Sequence, residues 1–460
     1  MRSELAKKLY ASDIARMCGG RLTGENKLIT SVATDSRETD AGTLFAAIKG
    51  ERMDGHDYIS KAAETGLGCA LVSKQPQDSE VSYITVDDTV EALGRLASEY
   101  RKLFDMKVVG VTGSVGKTST KEMVYDVLSE RFRTVRTEGN HNNNIGLPMT
   151  LLNIPEDTEA AVIEMGMSGF GEISYLSKIA SPDVALITNI GSSHIEKLGS
   201  REGIAKAKLE IKEGLKKGGR LILNGGEPLL AGEDALYVGR SDNCGVRITS
   251  SSSDGEKNTF TLEGEGVSGE YMIPVLGEHN VFNAAMAAAA GHTLGLGKEE
   301  IARGIAKYRT TGMRQKITEW GSRTFLEDCY NASPESMAAS VRVLAEVAKK
   351  RSKRAVAVLG NMLELGAYSP EGHRRTGQSA AEAGIDMLVT FGSDALYIAK
   401  GAADAGMDPG RIFSFYDTAD VSKIGDFLIN ETGGGDVVLF KASRGIKLER
   451  VMEYIKNYRK

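Results

Sequence analysis

The sequence predicts an α/β protein of three domains built around parallel sheets. An apolar run at residues 108–112 leads into a glycine-rich turn and then a helical pattern, the strand-turn-helix unit of nucleotide-binding sheets. Further strand and helix patterns alternate along the chain, as parallel sheets require. The chain has 460 residues, too many for one ordinary core, so several domains are expected.

Residues 1–104 form the first predicted domain and end in a connecting helix. Residues 43–48, T-L-F-A-A-I, predict a short strand closed by a turn. The triplet D-S-R at 35–37 precedes this strand and D-G-H-D at 54–57 follows it. Taken alone, both are typical of solvated turns. Residues 90–103 show helical spacing and lead into the strand at 108.

The turn at residues 113–118, G-S-V-G-K-T, predicts a phosphate-binding loop. Gly113 and Gly116 allow backbone angles closed to other residues, so main-chain N–H groups can close on phosphate oxygens at a helix N-terminus. Lys117 would reach the β- and γ-phosphates, and the Thr118 hydroxyl a Mg²⁺ ion. The loop is shorter than the common pattern, because no glycine stands five residues before Gly116. An ordinary strand-to-helix turn is the alternative.

The predicted central domain, residues 105–312, carries polar groups at the ends of its strands. Glu164 lies at the end of a strand at 160–165 and His194 follows a strand at 184–190, where ligands of open α/β sheets bind. Both side chains can bind or orient a metal carried by ATP, although a histidine there can also be an ordinary loop residue. The amide-rich loop at 140–144 is either turn chemistry or a polar substrate contact.

The second half of the central domain predicts a helix, flanking strands and a second helix. The helix at 203–215 shows Lys/Glu spacing typical of a surface face. Alternating residues between 236 and 275 predict antiparallel strands and hairpins beside the main sheet. In the helix that opens at residue 277, Asn280 can be a helix cap. Asn283 lies one turn further in, and its amide suits the edge of adenine.

Residues 313–460 show a third alternation and predict a doubly wound, Rossmann-like domain. Its strands are predicted at 324–326, 355–359, 387–391, 412–415 and 437–440. Polar clusters follow three of them, at 328–334, 360–366 and 441–445. Because these clusters share one sheet edge they predict a binding site, the alternative being turns and caps only.

Composition narrows the functional classes. With 41% hydrophobic and 26% charged residues, the chain is typical of a globular, soluble protein. No apolar stretch approaches the ~20 residues of a membrane helix, and the start lacks a secretory h-region, so we expect a cytoplasmic protein without integral membrane contact. A net charge of −5 argues against nucleic acid as a partner. Four scattered cysteines without a C-x-x-C pair indicate reduced thiols.

Taken together, the motifs resemble the Mur ligase family, the ATP-dependent amide-bond-forming enzymes of peptidoglycan precursor synthesis. The resembling stretches are T-G-S-V-G-K-T-S at 112–119, I-T-N-I-G-S-S-H at 187–194, A-K-A-K-L-E at 205–210 and G-E-H-N-V-F-N-A-A at 277–285. D-C-Y-N-A-S-P at 328–334 and G-N-M-L-E-L-G at 360–366 are similar to stretches of the member that adds D-alanyl-D-alanine. Two departures are Ser333 in place of asparagine and Asn361 in place of aspartate, the second of which removes a charge.

The resemblance implies a uridine-nucleotide-binding first domain and an ATPase central domain. It implies that the chain joins D-alanyl-D-alanine to UDP-N-acetylmuramoyl-tripeptide through an acyl phosphate, using ATP and two Mg²⁺ ions, and we expect a monomer. Lys208 would be carbamylated by CO₂ and would share the second Mg²⁺ with His194. The expected catalytic residues are Lys117, Glu164, His194 and Lys208, and the expected metal ligands are Thr118, Glu164, His194 and carbamylated Lys208.

The resemblance also implies two sets of binding residues. The expected ATP contacts are Gly113, Ser114, Val115, Gly116, Lys117, Thr118, Ser119, Asn280, Asn283, Arg314 and Asp328. The expected substrate contacts are Ser36, Arg37, Phe45, Lys49, His56, Asn142, Asn331, Glu364 and His373. The alternatives are another amino-acid ligase of the family, such as the one adding the third residue, and a P-loop nucleotide switch. ATP turnover that requires both substrates would favour the ligase.

Overall fold

The computed structural model describes residues 1–76 and 81–458, which form three sheets in succession along the chain. The first unit contains β1 Arg2–Tyr10, α1 Ala11–Cys18, β2 Arg21–Thr23, β3 Leu28–Ala33, β4 Thr43–Ala46, α2 Ile59–Ala63, β5 Cys69–Val72, β6 Tyr83–Thr85 and α3 Thr89–Arg101. Its strand order is β1-β3-β4-β5-β6-β2. Strands β3 to β6 run parallel, and the outer strands β1 and β2 pair antiparallel.

The central unit has nine strands in the order β15-β14-β13-β12-β11-β10-β7-β9-β8 among the described residues. Its elements are β7 Lys107–Thr112, α4 Lys117–Leu128, β8 Thr134–Arg136, α5 Gly146–Leu152, β9 Ala160–Glu164, α6 Glu172–Ala180, β10 Val184–Ile187, α7 Ile195–Leu198, α8 Arg201–Leu209, β11 Arg220–Asn224, β12 Leu236–Gly239, β13 Val246–Ser253, β14 Asn258–Glu263, β15 Gly269–Ile273, α9 Glu278–Thr293 and α10 Lys298–Lys307.

The prediction of antiparallel strands between 236 and 275 is right for β13 to β15 and wrong for β12. Strand β12 pairs parallel with both β11 and β13, so the parallel part of the sheet runs one strand further than expected. The alternating pattern that suggested hairpins belongs to β14, where buried residues alternate with more exposed ones. It does not extend back to β12.

The third unit has the strand order β16-β17-β21-β18-β19-β20. Its elements are β16 Lys316–Trp320, β17 Arg323–Glu327, α11 Pro334–Arg351, β18 Ala355–Gly360, α12 Ser369–Glu382, β19 Met387–Phe391, α13 Leu396–Asp404, β20 Ile412–Phe415, α14 Val421–Glu431, β21 Val437–Lys441 and α15 Glu449–Asn457. Only the edge strand β16 pairs antiparallel within this described sheet. Two apolar clusters cover its faces, which confirms the doubly wound prediction.

The first and central units share one apolar core. A continuous cluster of buried side chains runs from Leu5 to Leu230, with α3 packed against α5 and α6. The Ser3 hydroxyl donates to the Met149 carbonyl across this contact at 2.7 Å. The first sheet therefore rests firmly on the central one. No helix of the described residues is long and apolar enough to cross a membrane.

Candidate active site

The glycine-rich turn joins the buried central strand β7 to the start of α4. Strand β7 lies between β10 and β9, so its carboxyl end opens at the middle of the sheet. Gly113 has φ +149° and Gly116 has φ +83°. A Cβ atom on Gly113 would lie 1.9 Å from Thr188 Oγ1. Only glycine at position 113 lets the loop approach the end of β10 this closely.

Two residues after β10 clamp the loop from behind. Thr188 Oγ1 donates to the Val115 carbonyl at 2.6 Å. The Asn189 amide binds Val115 twice, accepting from its N–H at 2.9 Å and donating to its carbonyl at 3.1 Å. The N–H groups in the first turn of α4 have no partners within the helix and carry partial positive charge, so the clamped loop presents an anion site.

Lysine 117 completes the phosphate loop. Its ammonium donates to the carbonyls of Gly113 at 2.8 Å and Ser114 at 3.2 Å. Burial lowers the pKa of Lys117, with Arg314 acting in the same direction and the carboxylate of Glu164 opposing both. Two cationic side chains and a carboxylate therefore face one another around the loop.

A cavity of 640 Å³ opens over the loop, walled by the central and third units. It is lined by every predicted ATP contact except Gly113, by all four predicted catalytic residues, and by Asn142 and Asn331 from the predicted substrate set. A neighbouring cavity of 840 Å³ shares Thr118, His194 and Arg314 with it. The structure thus brings together residues that lie more than 300 positions apart in the chain.

Glu164, at the end of β9, has a carboxylate that is only half satisfied. The residue is 2% exposed, and Oε1 accepts from Asn142 Nδ2 at 2.8 Å. Its Oε2 atom is buried with no hydrogen-bond partner among the described residues. A buried carboxylate oxygen without a donor is costly, and a hard cation such as Mg²⁺ would satisfy it. The residue present therefore fits a metal carried by the nucleotide.

The expectation that α8 presents a solvated lysine face is wrong for Lys208. Lys206 is exposed, whereas Lys208 is 1% exposed and faces the cavity of the phosphate loop. Burial, and secondarily the nearby Lys117, lower the pKa of Lys208 well below its usual value. A lowered pKa raises the share of the neutral amine, which is the form that can react with an electrophile such as CO₂.

His194 joins the central and third units. It directly precedes α7, in the left-handed region at φ +64°, and its Nδ1 lies 2.7 Å from Glu364 Oε2. The hydrogen bond from His194 lowers the pKa of Glu364. The described residues contain no cluster of three or more His, Cys, Asp or Glu side chains that could hold a metal alone. Mg²⁺ commonly binds one or two carboxylates together with phosphates and water, so a full protein cage is not required.

Asn280 and Asn283 line the far side of the loop cavity on helix α9. The helix begins at Glu278 after Gly277, so Asn280 is not the cap residue that the sequence allowed. Its Nδ2 donates to the Leu276 carbonyl at 2.7 Å and to Gln315 Oε1 at 3.1 Å. The amide of Asn283 is buried directly against Gly116, 3.0 Å from the position of a Cβ there. Asn283 is thus the freer of the two for a base.

The third unit contributes a cation and a carboxylate to the same cavity. Arg314 donates to Thr118 Oγ1 at 3.1 Å and stacks 4.0 Å over the Tyr330 ring. The Asp328 carboxylate accepts from Lys441 Nζ at 2.7 Å and from Ser340 at 2.5 Å. Asp328 is therefore held by one donor from the following helix, α11, and by one from the end of β21, far away in the sequence.

The structure does not bring the remaining predicted substrate contacts to these two cavities, with the exception of Glu364. Phe45 is 2% exposed in the apolar core of the first unit. His56 is held by Asp54 at 2.6 Å and accepts the Ser73 N–H at 2.9 Å. Ser36 and Arg37 form a short helical turn, in which Arg37 pairs with Asp35, and Lys49 is exposed.

His373 lies inside the third unit rather than on a cavity wall. The residue is fully buried, its Nε2 accepts the Met362 N–H at 2.9 Å, and its Nδ1 donates to the Ser369 carbonyl at 2.7 Å. Burial lowers the pKa of His373, consistent with a neutral ring making both bonds. Its role in the structure is to fix the loop at 360–366.

Sequence reasoning missed several functional neighbours. Thr188 and Asn189 stand inside the quoted I-T-N-I-G stretch, and their position directly after a strand was a usable signal. Lys441 belongs to the predicted polar cluster at 441–445, but its pairing with Asp328 had no sequence signal, and neither did the contact of Gln315 with Asn280, because the partners are distant in the sequence.

This combination of fold and site defines a P-loop nucleotide-binding enzyme in which a second α/β unit completes the phosphate site. Three family descriptions match the chain: "Mur ligase family, catalytic domain" at residues 28–101, "Mur ligase middle domain" at 111–291 and "Mur ligase, glutamate ligase domain" at 313–444. The chain belongs to the Mur ligase family, and the prediction of an ATP-dependent ligase is confirmed.

Individual relatives agree along nearly the whole chain. It is 41% identical to the UDP-N-acetylmuramoyl-tripeptide--D-alanyl-D-alanine ligase of Bacillus subtilis, over 97% of this chain and 98% of the relative. The Escherichia coli ligase of the same name is 36% identical, over 85% of this chain and 88% of the relative. A crystal structure of MurF from Acinetobacter baumannii matches with a TM-score of 0.90 and 31% identity over 98% and 100% of the two chains. The structure of MurF from Thermotoga maritima in complex with ADP matches with a TM-score of 0.81 and 30% identity, over 92% of this chain and 96% of the other.

Proposed function

We propose that the protein joins D-alanyl-D-alanine to UDP-N-acetylmuramoyl-tripeptide, converting ATP to ADP and phosphate. The observation that carries this proposal is the single cavity that unites the phosphate loop, the half-satisfied Glu164 and the buried Lys208. The substrates named for the relatives supply its chemical identity. The division into domains at residues 1–104, 105–312 and 313–460, the monomeric state and the cytoplasmic location stay predictions.

The first step transfers a phosphoryl group between two anions. A carboxylate oxygen of the tripeptide attacks the γ-phosphorus of ATP, the bond to the β-phosphate oxygen breaks, and ADP leaves with that electron pair. Lys117 and Arg314 would neutralise the phosphate oxygens, and the N–H groups at the start of α4 would align them. Because both reactants are negative, charge neutralisation and alignment are the main contributions of the protein.

Mg²⁺ fits the residues present. Thr118 and Glu164 would hold one ion, and His194 with a carbamylated Lys208 a second one. When bound, such ions supply positive charge that neutralises the phosphate oxygens and the attacking carboxylate. Carbamylation needs the neutral amine that the burial of Lys208 favours, and it replaces a cation by a carboxylate-like ligand. His194 would exchange its contact with Glu364 to take part.

The second step forms the amide. The amine of D-alanyl-D-alanine attacks the acyl carbon, a tetrahedral intermediate forms, and its collapse expels inorganic phosphate while the amine loses a proton. The walls that the third unit contributes to both cavities would exclude water from the acyl phosphate.

A phosphate-release assay over a panel of UDP-muramoyl peptides and dipeptides, with mass spectrometry of the product, tests this function. We expect turnover only when the tripeptide nucleotide and D-alanyl-D-alanine are both present. Turnover with a dipeptide nucleotide and a single amino acid would indicate another ligase of the family. Turnover indifferent to both substrates would indicate a nucleotide switch and would refute the proposal.

A further inference from the structure

The 840 Å³ cavity has a wall that the phosphate site does not use. One end of the cavity carries Thr118 and His194, which it shares with the phosphate cavity. The other end is formed by two loops of the third unit, which contribute Leu363 and Arg444. The cavity therefore extends from the phosphate loop to one apolar side chain, Leu363, and one cationic side chain, Arg444.

Three of the four basic side chains that line this cavity are already engaged. Lys121 is 1% exposed, donates to the Thr137 carbonyl at 2.6 Å and pairs with Glu122 at 2.8 Å. Arg136 pairs with the same carboxylate at 3.0 Å and lies over the Tyr125 ring. Arg314, the third, is bound to Thr118 beside the phosphate loop.

Arg444, the fourth cation, keeps most of its donors available. Its side chain is 56% exposed and pairs with Glu449 Oε1 at 2.9 Å. Within the described part of the chain, every hydrogen bond of the Arg444 side chain leaves from Nη1. Nη2 and Nε can therefore form the two parallel hydrogen bonds with which a guanidinium binds a carboxylate.

An apolar surface is fixed next to this cation. Leu363 is 46% exposed, and its Cδ1 lies 2.9 Å from the position of a Cβ on Gly445. The Leu363 N–H donates to Ser443 Oγ at 2.9 Å, which ties the loop at 360–366 to the loop at 441–445. An exposed leucine beside a guanidinium matches a small molecule that carries methyl groups and a carboxylate.

One loop of the third unit connects the two sides of this cavity. Glu364 follows Leu363 directly in the chain, and its carboxylate reaches His194 at 2.7 Å. Two extended residues span about 7 Å. Because Leu363 contacts the loop that carries Arg444 and Glu364 contacts His194, an extended dipeptide that lies along this loop with its carboxylate at Arg444 would point its amine towards His194 and the phosphate loop.

We propose that Arg444 binds the terminal carboxylate of the incoming dipeptide and so orients its amine towards the acyl phosphate. This assignment rests on the proposed function. It makes Arg444 a specificity-determining residue, because a dipeptide whose carboxylate is replaced by an amide keeps one acceptor oxygen and loses one of the two charge-assisted hydrogen bonds. A hydrogen bond to a charged group contributes about 1.5–3 kcal/mol, so the wild-type kcat/KM should favour D-alanyl-D-alanine over its C-terminal amide by about 10- to 100-fold.

The test compares the dipeptide acid with the dipeptide amide in the wild type and in Arg444→Gln. We expect the variant to lose the preference for the acid, mainly through a raised KM for the dipeptide, with the KM values for ATP and the tripeptide nucleotide unchanged. Arg444→Lys keeps the charge and should retain part of the preference. Arg375→Gln is the matched control, because Arg375 is also an exposed arginine paired with one glutamate, at 2.7 Å, but lies outside both cavities.

Two results would overturn the assignment. One is an unchanged acid preference in Arg444→Gln, and the other is a KM increase for the tripeptide nucleotide instead of the dipeptide, which would place a carboxylate of that substrate at Arg444. Circular dichroism melting checks that each variant is folded. A wild type that does not turn over D-alanyl-D-alanine would refute the proposed function itself, and that result is visible before any variant is made.

Discussion

Replacing Gly113 by alanine tests whether the phosphate loop depends on its close approach to β10. The new Cβ would lie 1.9 Å from Thr188 Oγ1, at a backbone angle of φ +149° that residues with side chains rarely adopt. Either the loop moves or Thr188 rotates and gives up its bond to the Val115 carbonyl. Both responses displace the N–H groups that would bind phosphate.

The expected loss of stability follows from these contacts. Backbone strain of this kind costs about 1–3 kcal/mol. Losing the Thr188–Val115 hydrogen bond adds about 0.5–1.5 kcal/mol. We therefore expect Gly113→Ala to lower the free energy of unfolding by ~1.5–4.5 kcal/mol, the sum of these two ranges. Binding of ADP should weaken by about tenfold or more, because one misplaced charge-assisted hydrogen bond already accounts for ~1.5 kcal/mol.

The assay is urea unfolding followed by circular dichroism, with ADP affinity from calorimetry. Gly232→Ala is the matched control in the same unit, since Gly232 has φ +86° but no atom within 4 Å of a new Cβ. Gly232→Ala should lower the free energy of unfolding by about 1–2 kcal/mol, the cost of a left-handed backbone for alanine, and should leave the affinity for ADP unchanged. In the double variant with Thr188→Ala, about 1 kcal/mol should return, because the clashing oxygen is gone. Equal losses in the Gly113 and Gly232 variants, with normal ADP binding, would refute the reasoning.

Three further results are expected. Lys208→Ala should abolish turnover, and a short carboxylate such as acetate should restore part of it by replacing the carbamate. Asp328→Ala should destabilise the third unit by about 3–5 kcal/mol in urea unfolding, because it leaves the Lys441 ammonium, 3% exposed, without its partner. Burial lowers the pKa of His279 to about 4, below the ~6.5 of an unfolded histidine. The unfolded chain therefore binds more protons between these values, stability should fall as the pH drops from 6.5 to 4, and His279→Gln should flatten that slope.

Each of these expectations has an opposite outcome. No restoration of Lys208→Ala by any small carboxylate would count against the carbamate. If Asp328→Ala combined with Lys441→Met were no more stable than Asp328→Ala alone, the unpaired ammonium would not be the cause of the loss. An unchanged pH dependence in His279→Gln, measured by urea unfolding from pH 4.5 to 7, would show that other groups carry the slope.

The phosphate loop and the strand-end residues could be predicted from the sequence because their signals are local. A valine-rich strand, a glycine turn and a helix are contiguous, and Glu164 follows its strand directly. The rule that ligands bind beyond the carboxyl ends of parallel strands then placed Glu164 and His194 on one side of the sheet. Both line the cavity over the loop.

The direction of individual side chains could not be predicted in the same way. All four residues of β4 are buried, so alternation gives no sign that Phe45 points into the core. Lys208 shares its helix with the exposed Lys206, and only the tertiary packing of α8 separates the two. The sequence does not show which way His373 points either. A histidine downstream of the 360–366 motif can contact a ligand, or it can hydrogen-bond to the loop and hold it in place, as His373 does.

Ser443 connects the loops of the third unit that line the cavity. Its hydroxyl accepts from Leu363 and reaches the Ala332 carbonyl at 3.5 Å, while its N–H donates to the Asn361 carbonyl at 3.1 Å. Ser443 thus joins the loops at 328–334, 360–366 and 441–445, and we expect the three loops to move together as one rigid group. If these loops move towards the phosphates, the backbone angles must change elsewhere in the chain. The segment that connects the central and third units lies outside these loops, and in it Gly312 and Gln315 both have positive φ.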